Sequence, residues 1–485
     1  MEKHNPVTIS HAVRAGITTL VALAIGAGCA VGPNYQRPAV VTPDHFRFAE
    51  NPPPDSLGDL PWWKVFQDPA LQELIRAALT NNFDLKQAVA RVEQARNLAL
   101  AARAPLFPQI GYGGAVGRGR NALLDTPTPM SGATESSAYG NLNAVWELDL
   151  WGRIRRLSES ARAQYLATEE ARRGVTITLV SDVATAYFRL LQYDQELAIQ
   201  QSATNAYAES YRIFDERLTG GAASKLETYR ADAARANAAA LIPQLELNVA
   251  ITENQINVLL GRRPGPVARN ALTNEPPLAP EIPPGLPSEL LRRRPDILAA
   301  EQMLIAANAG IGANLANFFP RIGLTTFIGQ VSPELSAFTA GSANAWNVGA
   351  TLSGPLFQGG QLRAQYRAAQ AKFDEAGAAY QQSVLTAFQE VADALIARQK
   401  FSETCRFDGQ AAVALTASVG LATARYRNGR SGYYEVLETQ QELYPTQRAQ
   451  AEAQAGERIA VIQLYKALGG GWEVTAQPGN SNPLP

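Results

Sequence analysis

Polar and apolar residues alternate along residues 136–150, as expected for a strand with one apolar and one wet face. Leu142, Ala144, Trp146, Leu148 and Leu150 hold the even positions, and Asn141, Asn143, Glu147 and Asp149 hold odd ones. Successive strand side chains point to opposite sides, so one face suits lipid or a core and the other suits water. At Trp151-Gly152 the period changes. From Gly152 to Arg217 there is no proline and one internal glycine, Gly174, while Ile154, Leu157, Ala161, Tyr165, Leu179, Val183, Tyr187 and Leu190 recur at helical spacing. A helix of about 65 residues, at ~1.5 Å per residue, is about 100 Å long. The stretch Leu218–Ser224 breaks it, and a return helix is predicted from Lys225 to Leu260 with a kink at Pro243.

Earlier in the chain, Asp68-Pro69 predicts a helix start, with Asp as cap and Pro in the first turn. That helix is expected to reach about Leu79, to break at Asn81-Asn82 and to resume from Asp84 to about Ala104. A strand follows Pro108, with Ile110, Tyr112 and Val116 on one side. Residues 121–135, rich in Pro, Ser, Thr and Gly, predict a hairpin loop.

The whole pattern then recurs. At an offset of 212, Asp84, Ala88, Phe107, Pro108 and Gly111 match Asp296, Ala300, Phe319, Pro320 and Gly323; beyond the hairpin, at 208, Leu148, Gly152, Arg155, Gly221, Glu227 and Gly261 match Leu356, Gly360, Arg363, Gly429, Glu435 and Gly469. So many elements in register predict a tandem duplication. Ile322, Leu324 and Ile328 share a strand face, as do Trp346, Val348, Ala350 and Leu352. A second long helix is expected over about 360–424, broken at Asn428–Gly432, with a return helix through Pro445 to Gly469. The predicted divisions are 1–28, a signal peptide; 29–66, an extended N-terminal arm; 67–260, the first repeat with its hairpin at 107–150; 261–287, a linker with eight prolines; 288–469, the second repeat with its hairpin at 319–357; and 470–485, a disordered tail.

Composition narrows the function. The net charge of −1 gives no electrostatic case for nucleic acid. No stretch after residue 30 reads as a membrane-spanning helix, so a crossing of the bilayer would use strands. Two cysteines, Cys29 and Cys405, exclude a disulfide framework, and Cys405 matches Leu197 of the first repeat, which predicts a structural rather than a reactive thiol. The histidines are His4, His11 and His45, the first two within the predicted signal segment. That leaves no basis for histidine catalysis, a histidine metal site or a lipid-anchored hydrolase; no cofactor is expected. Ala27-Gly28 before Cys29 resembles a bacterial lipoprotein signal, with Gly26 at the third position before the cysteine; an ordinary signal peptide is the alternative. Ala30 after the cysteine suggests sorting to the outer membrane by the same analogy. Arg292-Arg293-Arg294 is expected to be a solvated charge run.

Four amphipathic strands of about ten residues are each long enough to cross a bilayer, but four cannot close a barrel and open edges are not tolerated in lipid. Two copies give eight strands and three give twelve. Eight-stranded barrels are filled by side chains, whereas the Gly, Ser, Thr and Asn face here suits an open lumen, which favours three.

Cys29-Ala-Val-Gly-Pro-Asn-Tyr35, Trp62-Trp63-Lys-Val-Phe-Gln-Asp-Pro69, Trp146-Glu-Leu-Asp-Leu-Trp-Gly-Arg153, Arg294-Pro-Asp-Ile297 and Pro355-Leu-Phe-Gln-Gly-Gly360 resemble the NodT-type lipoprotein branch of the TolC-like outer membrane efflux factors, across essentially the whole mature chain. The resemblance implies a mostly α chain with membrane β: a homotrimer whose 12-stranded β-barrel in the outer membrane continues as a 12-helix periplasmic α-barrel, lipid-anchored at Cys29. It implies no enzyme. It implies a passive exit duct of a tripartite efflux system, docked to a periplasmic adaptor (membrane fusion protein) and an inner-membrane pump, commonly of the resistance-nodulation-division type. An exit duct for type I protein secretion and a structural coiled-coil lipoprotein are the alternatives. Carried over residue by residue, the adaptor-contact tips are Arg217, Leu218, Gly221, Ser224, Arg425, Tyr426, Gly429 and Ser431. Asn141, Asn143, Glu147 and Asp149 are expected on the lumen side of the strand or at its lower rim. Relatives often close the tip with an acidic ring; here no Asp or Glu lies from Gly409 to Tyr434, so the expected gate is Leu421, with Arg425 tying helices together.

Overall fold

The structure, a computed structural model, describes residues 30–48, 57, 60–120, 134–270, 287–333, 335–339 and 341–470. The signal segment, Cys29, most of the hairpin loop at 121–135, much of the linker and the tail from 471 lie outside the described residues. Among these residues the elements run α1 (Trp62–Val65), α2 (Pro69–Asn81), α3 (Phe83–Arg103), β1 (Gln109–Arg120), β2 (Thr134–Leu148), α4 (Arg153–Thr219), α5 (Lys225–Leu259), α6 (Pro287–Arg293), α7 (Pro295–Ala316), β3 (Arg321–Ser332), β4 (Asn344–Ser353), α8 (Gln361–Arg427) and α9 (Tyr434–Ala467). α4 and α8 have 67 residues each. α5 and α9 continue through Pro243 and Pro445.

The chain divides into two compact units. The first holds the described parts of Met1–Ala39, Arg91–Thr168 and Ala300–Tyr380. Its centre is one antiparallel sheet in the order β1-β2-β3-β4. Within the hairpins Tyr112 lies opposite Leu142 and Ile328 opposite Trp346; between them Leu142 lies opposite Ile328. These registers keep every even-numbered strand position on one face.

The N-terminal arm is fastened to this unit by its backbone. The Val31 amide donates to the Trp151 carbonyl (3.0 Å), and the Asn308 amide donates to the Pro33 carbonyl (3.0 Å). Arg156, buried, reaches the Asn34 side chain at 2.8 Å and the Gly32 carbonyl at 3.4 Å. Arg37 grips the buried Glu301 carboxylate through both nitrogens of its fork, and the Tyr35 hydroxyl donates to it at 3.2 Å. A charge-assisted two-point pair of this kind fixes geometry as well as energy. Gly32 has φ +98, and a Cβ there would sit 2.5 Å from the Gly312 Cα. Only glycine meets both demands.

The second unit holds the described parts of Val40–Ala90, Glu169–Ala299 and Gln381–Pro485. α2 starts as the sequence predicts: the Asp68 carboxylate accepts from the amides of Ala70 and Leu71, with Pro69 in the first turn. The Tyr187 hydroxyl donates to the other Asp68 oxygen (2.7 Å), which draws α4 onto α2. Tyr187, Leu190 and Val183 on α4 are buried; full burial of such a side chain contributes about 1.5–3 kcal/mol. Against the expectation of no such stretch after residue 30, α4 carries an 18-residue window apolar enough, by length and composition, to cross a membrane. Of that window 61% is buried inside the protein, so protein rather than lipid covers most of it.

One contact occurs twice in this unit. The Asn82 side chain donates to the Leu259 carbonyl at 2.9 Å, and Arg294 donates to the Ala467 carbonyl at 3.1 Å. Donor and acceptor are displaced by 212 and 208 residues, the offsets seen in the sequence. The helix ends beside them agree as well: Gly261 (φ +66) and Gly469 (φ +77) close α5 and α9. This corrects the expectation of a solvated arginine run. Arg294 is 6% exposed because it takes the place that Asn82 takes in the first half, and Asp296 (2.7 Å) and Glu390 (2.6 Å) neutralise it.

Two outcomes follow. Arg294→Ala removes the donor to the Ala467 carbonyl and leaves two half-exposed carboxylates, and calorimetry should record a loss of about 1–3 kcal/mol. Gly32→Ala should unseat the arm and speed amide hydrogen exchange of residues 31–37 at least about tenfold (~1.4 kcal/mol), with exchange in α7 little changed.

Candidate functional site

Two places carry features beyond packing, one in each unit. In the first unit it is the sheet. Its even face presents Ile110, Tyr112 and Val116 on β1, Leu142 on β2, Ile328 on β3, and Trp346, Val348 and Leu352 on β4. All are exposed, Tyr112 by 88% and Trp346 by 75%. An apolar patch of this extent, bare to water, marks a surface that something apolar covers. The odd face carries Gly111, Gly113, Asn141, Asn143, Thr325, Asn347 and Thr351, interspersed with Tyr139, Val145, Phe327 and Val331. Asn143 and Asn141 lie opposite Gly111 and Gly113, and their amides fold over those glycines; a Cβ on Gly113 would stand 2.9 Å from the Asn141 oxygen.

Asn141 and Asn143 therefore occupy the polar face, as the alternation predicts. Glu147 is on the same face, but its carboxylate is held by Arg153 through two bonds of 3.0 and 2.7 Å. Asp149 stands just past the end of the strand, since β2 ends at Leu148. Its oxygens accept from the amides of Ile154 (2.9 Å) and Arg155 (2.8 Å), groups that the first turn of a helix leaves without partners.

In the second unit the site is the pair of helix ends at 217–224 and 425–435. Both close alike. The Gly221 amide donates to the Leu218 carbonyl and the Ala222 amide to the Arg217 carbonyl; the Gly429 and Arg430 amides donate to the Tyr426 and Arg425 carbonyls. Gly221 (φ +74) and Gly429 (φ +68) supply the left-handed residue that this closure requires. Ser224 caps α5 reciprocally with Glu227. Ser431 differs: its hydroxyl oxygen is buried and makes no hydrogen bond.

Side chains bring the two ends together. The Arg217 guanidinium lies 5.9 Å from the Tyr426 ring centre, a cation–π distance. Tyr426 meets Tyr433 edge to face at 4.8 Å, Tyr433 meets Phe214 at 5.3 Å, and the Tyr433 and Ser210 hydroxyls lie 3.0 Å apart. Arg425 pairs with Glu435 at 3.4 Å, both partly exposed. Leu421, one turn before Arg425, is 68% exposed.

The family model described as "Outer membrane efflux protein" matches residues 74–262 and 286–470. The chain belongs to the outer membrane efflux protein family. It is 38% identical over 467 residues to the solvent efflux pump outer membrane protein SrpC of Pseudomonas putida, covering 94% of this chain and 98% of that one. It is 34% identical over 457 residues to the cation efflux system protein CusC of Escherichia coli O6:H1, covering 93% and 98%. Its fold is similar to the solved outer-membrane channel OprN, with TM-score 0.83 and 32% identity over 92% of this chain and 100% of that one. It is similar also to the open state of the MtrE outer membrane channel of Neisseria gonorrhoeae, with TM-score 0.81 and 30% identity over 92% and 99%.

For an efflux protein the tip chemistry missed in the sequence is the most informative. Tyr433, Phe214 and Ser210 were not picked out, although two aromatic residues directly after the Asn428–Gly432 break, Tyr433 and Tyr434, were a visible signal. Glu435 is the first acidic residue after the acid-free stretch 409–434. Cys405 is a half-buried free thiol whose pKa burial pushes up to about 11. It should alkylate at pH 8 roughly a hundredfold more slowly than an ordinary cysteine. Tyr433→Phe, which removes only the hydroxyl contact, should destabilise the tip by about 1 kcal/mol, and Tyr433→Ala by about 3–5 kcal/mol, measured by amide exchange over the first turns of α9.

Proposed function

We propose that the chain is the outer-membrane exit duct of a tripartite efflux system, a passive channel that docks a periplasmic adaptor and an inner-membrane pump of the resistance-nodulation-division type to export small molecules. The observation that carries this reading is the four-stranded sheet: one face apolar and bare, the other mainly Gly, Asn, Ser and Thr with a few apolar residues among them, with both edges unpaired among the described residues. In lipid such a sheet is stable only when closed, and three copies close it at twelve strands around a wet lumen. α4, α5, α8 and α9 of the three copies then form a 12-helix periplasmic tunnel. Each chain is a tandem repeat, a view supported by the recurring Asn82–Leu259 and Arg294–Ala467 contacts. The divisions at 1–28, 29–66, 67–260, 261–287, 288–469 and 470–485 are part of the same proposal, as is acylation of Cys29.

The tips carry the docking and the gate. Arg217, Leu218, Gly221, Ser224, Arg425, Tyr426, Gly429 and Ser431 meet the adaptor, and Leu421 with Arg425 forms the constriction. The Arg217–Tyr426 and Tyr433–Ser210 contacts are what an opening motion has to release. The duct does no catalysis of its own.

In planar bilayers, Leu421→Ser and Arg425→Ala should each raise single-channel conductance at least about twofold. The exposed Arg425–Glu435 pair holds at most about 1 kcal/mol, so Arg425→Ala should leave the melting temperature nearly unchanged. Unaltered conductance in both variants removes the gate assignment; absence of any channel in the unmodified protein removes the duct itself.

A further inference from the structure

In the second unit α4, α5 and α9 meet around a hollow of about 200 Å³. Tyr207 of α4 and Tyr444 of α9 form one wall, their rings edge to face with centroids 5.8 Å apart. Ala203 of α4 and Ala234 and Ala238 of α5, all buried, form the floor. A bulky ring pair beside three methyl groups leaves room that close-packed interiors seldom leave. For scale, an apolar cavity of about 150 Å³ takes up benzene. The hollow thus has the size of a single aromatic ring with a small substituent.

Two polar groups around it lack their ordinary partners. The Arg448 Nε is buried and makes no hydrogen bond. Pro445, inside α9, has no N–H, so the Gln441 carbonyl loses the donor that the helical ladder would give it. Gln441, Pro445 and Arg448 all line the hollow. The counterpart of Pro445 in the first half is Asn237, so the duplicated framework does not impose the proline. The Tyr444 hydroxyl is already hydrogen-bonded to Ser202. The charge of Arg448 is engaged too. It acts on Glu196, whose pKa is pushed up by burial and further by Glu452, with the Gln192 amide and Arg448 pulling it down. Two carboxylates beside one guanidinium leave nothing for a third anion to gain. A neutral group that accepts one hydrogen bond and donates one fits.

We propose that this hollow is a binding site for a neutral single-ring phenol. The ring lies against Tyr207 and Tyr444 over the alanine floor, and the hydroxyl accepts from the Arg448 Nε–H and donates to the Gln441 carbonyl. A bare hydrocarbon leaves both of those groups unpaired, and a carboxylate meets Glu196 and Glu452. Gln441 and Arg448 stand on opposite sides of Pro445, so one hydroxyl bridges the gap that the proline opens in the α9 ladder. Binding therefore splints α9 at that point. All the residues belong to one chain, and the site goes beyond the duct reading without needing it.

The test is fluorine NMR with para-fluorophenol on the full-length protein in lipid nanodiscs, with empty nanodiscs as the blank. Saturable binding should appear with Kd of about 1 mM or below, as expected for so small a ligand. Fluorobenzene, which lacks the hydroxyl, and para-fluorobenzoate should each bind at least about tenfold more weakly. Arg448→Met keeps the stem, loses the donor and should weaken para-fluorophenol about tenfold. Ala238→Leu fills the floor and should abolish saturable binding; if its melting curve shows that it does not fold, Arg448→Met alone decides. Saturating para-fluorophenol should also slow amide exchange over residues 442–449 at least about threefold in the unmodified protein and not in Arg448→Met. Absence of saturable binding, equal binding of fluorobenzene, tighter binding of the benzoate, binding unchanged in Arg448→Met, or exchange unchanged at saturation each overturns the site as assigned. Channel conductance reports the duct separately, so none of these failures touches that reading.

Discussion

An amphipathic sheet with open edges is the constraint on which the rest of this protein depends. Each unpaired strand edge displays amide and carbonyl groups that hydrocarbon cannot satisfy, at several kcal/mol per group. Among the described residues β1 and β4 are such edges, and the face they share exposes Ile110, Tyr112, Trp346 and Val348. Water is a poor solvent for that face and lipid is a poor solvent for those edges. Only lateral pairing with further strands satisfies both, and membership of the outer membrane efflux protein family agrees with that solution.

Within one copy, the two halves are alike in their turns and unlike in what covers them. Helix closures at Gly221 and Gly429, and at Gly261 and Gly469, use the same backbone conformation. The N-terminal arm lies once per chain, between the start of α4 in the first half, where Ala30 packs against Gly152, and α7 in the second, where Asn308, Glu301 and Gly312 hold it; Gly360, the counterpart of Gly152, has open space around it. Arg156, which anchors the arm, has Ala364 as its counterpart, and Gly312, which accepts Gly32, has Leu100. The positions that correspond to the arm's contacts on α7 lie on α3, and there Leu98 and Leu100 are exposed.

The features legible in the sequence were those with a local period or a local breaker. Alternation over 136–148 gave the strand face, threes and fours gave α4 and α8, and glycines at fixed offsets marked the helix ends. What escaped was decided by partners distant in sequence. Nothing near Arg294 says that it will meet the Ala467 carbonyl, so its neighbours Arg292 and Arg293 made it look solvated. Asp149 continues the alternation perfectly, yet the free amides at the start of α4 claim it. Tyr433 looks like an ordinary helix residue until Ser210, Phe214 and Tyr426 converge on it. Proximity to a helix end, rather than residue type, was the missing variable in each case.

The most direct measurement is a density map of the protein extracted from outer membranes in detergent. Lateral closure predicts a continuous twelve-stranded wall built from three chains, with Tyr112, Trp346 and Val348 facing the detergent belt. A single chain sealing its own sheet, or that face standing in water outside the belt, would contradict it.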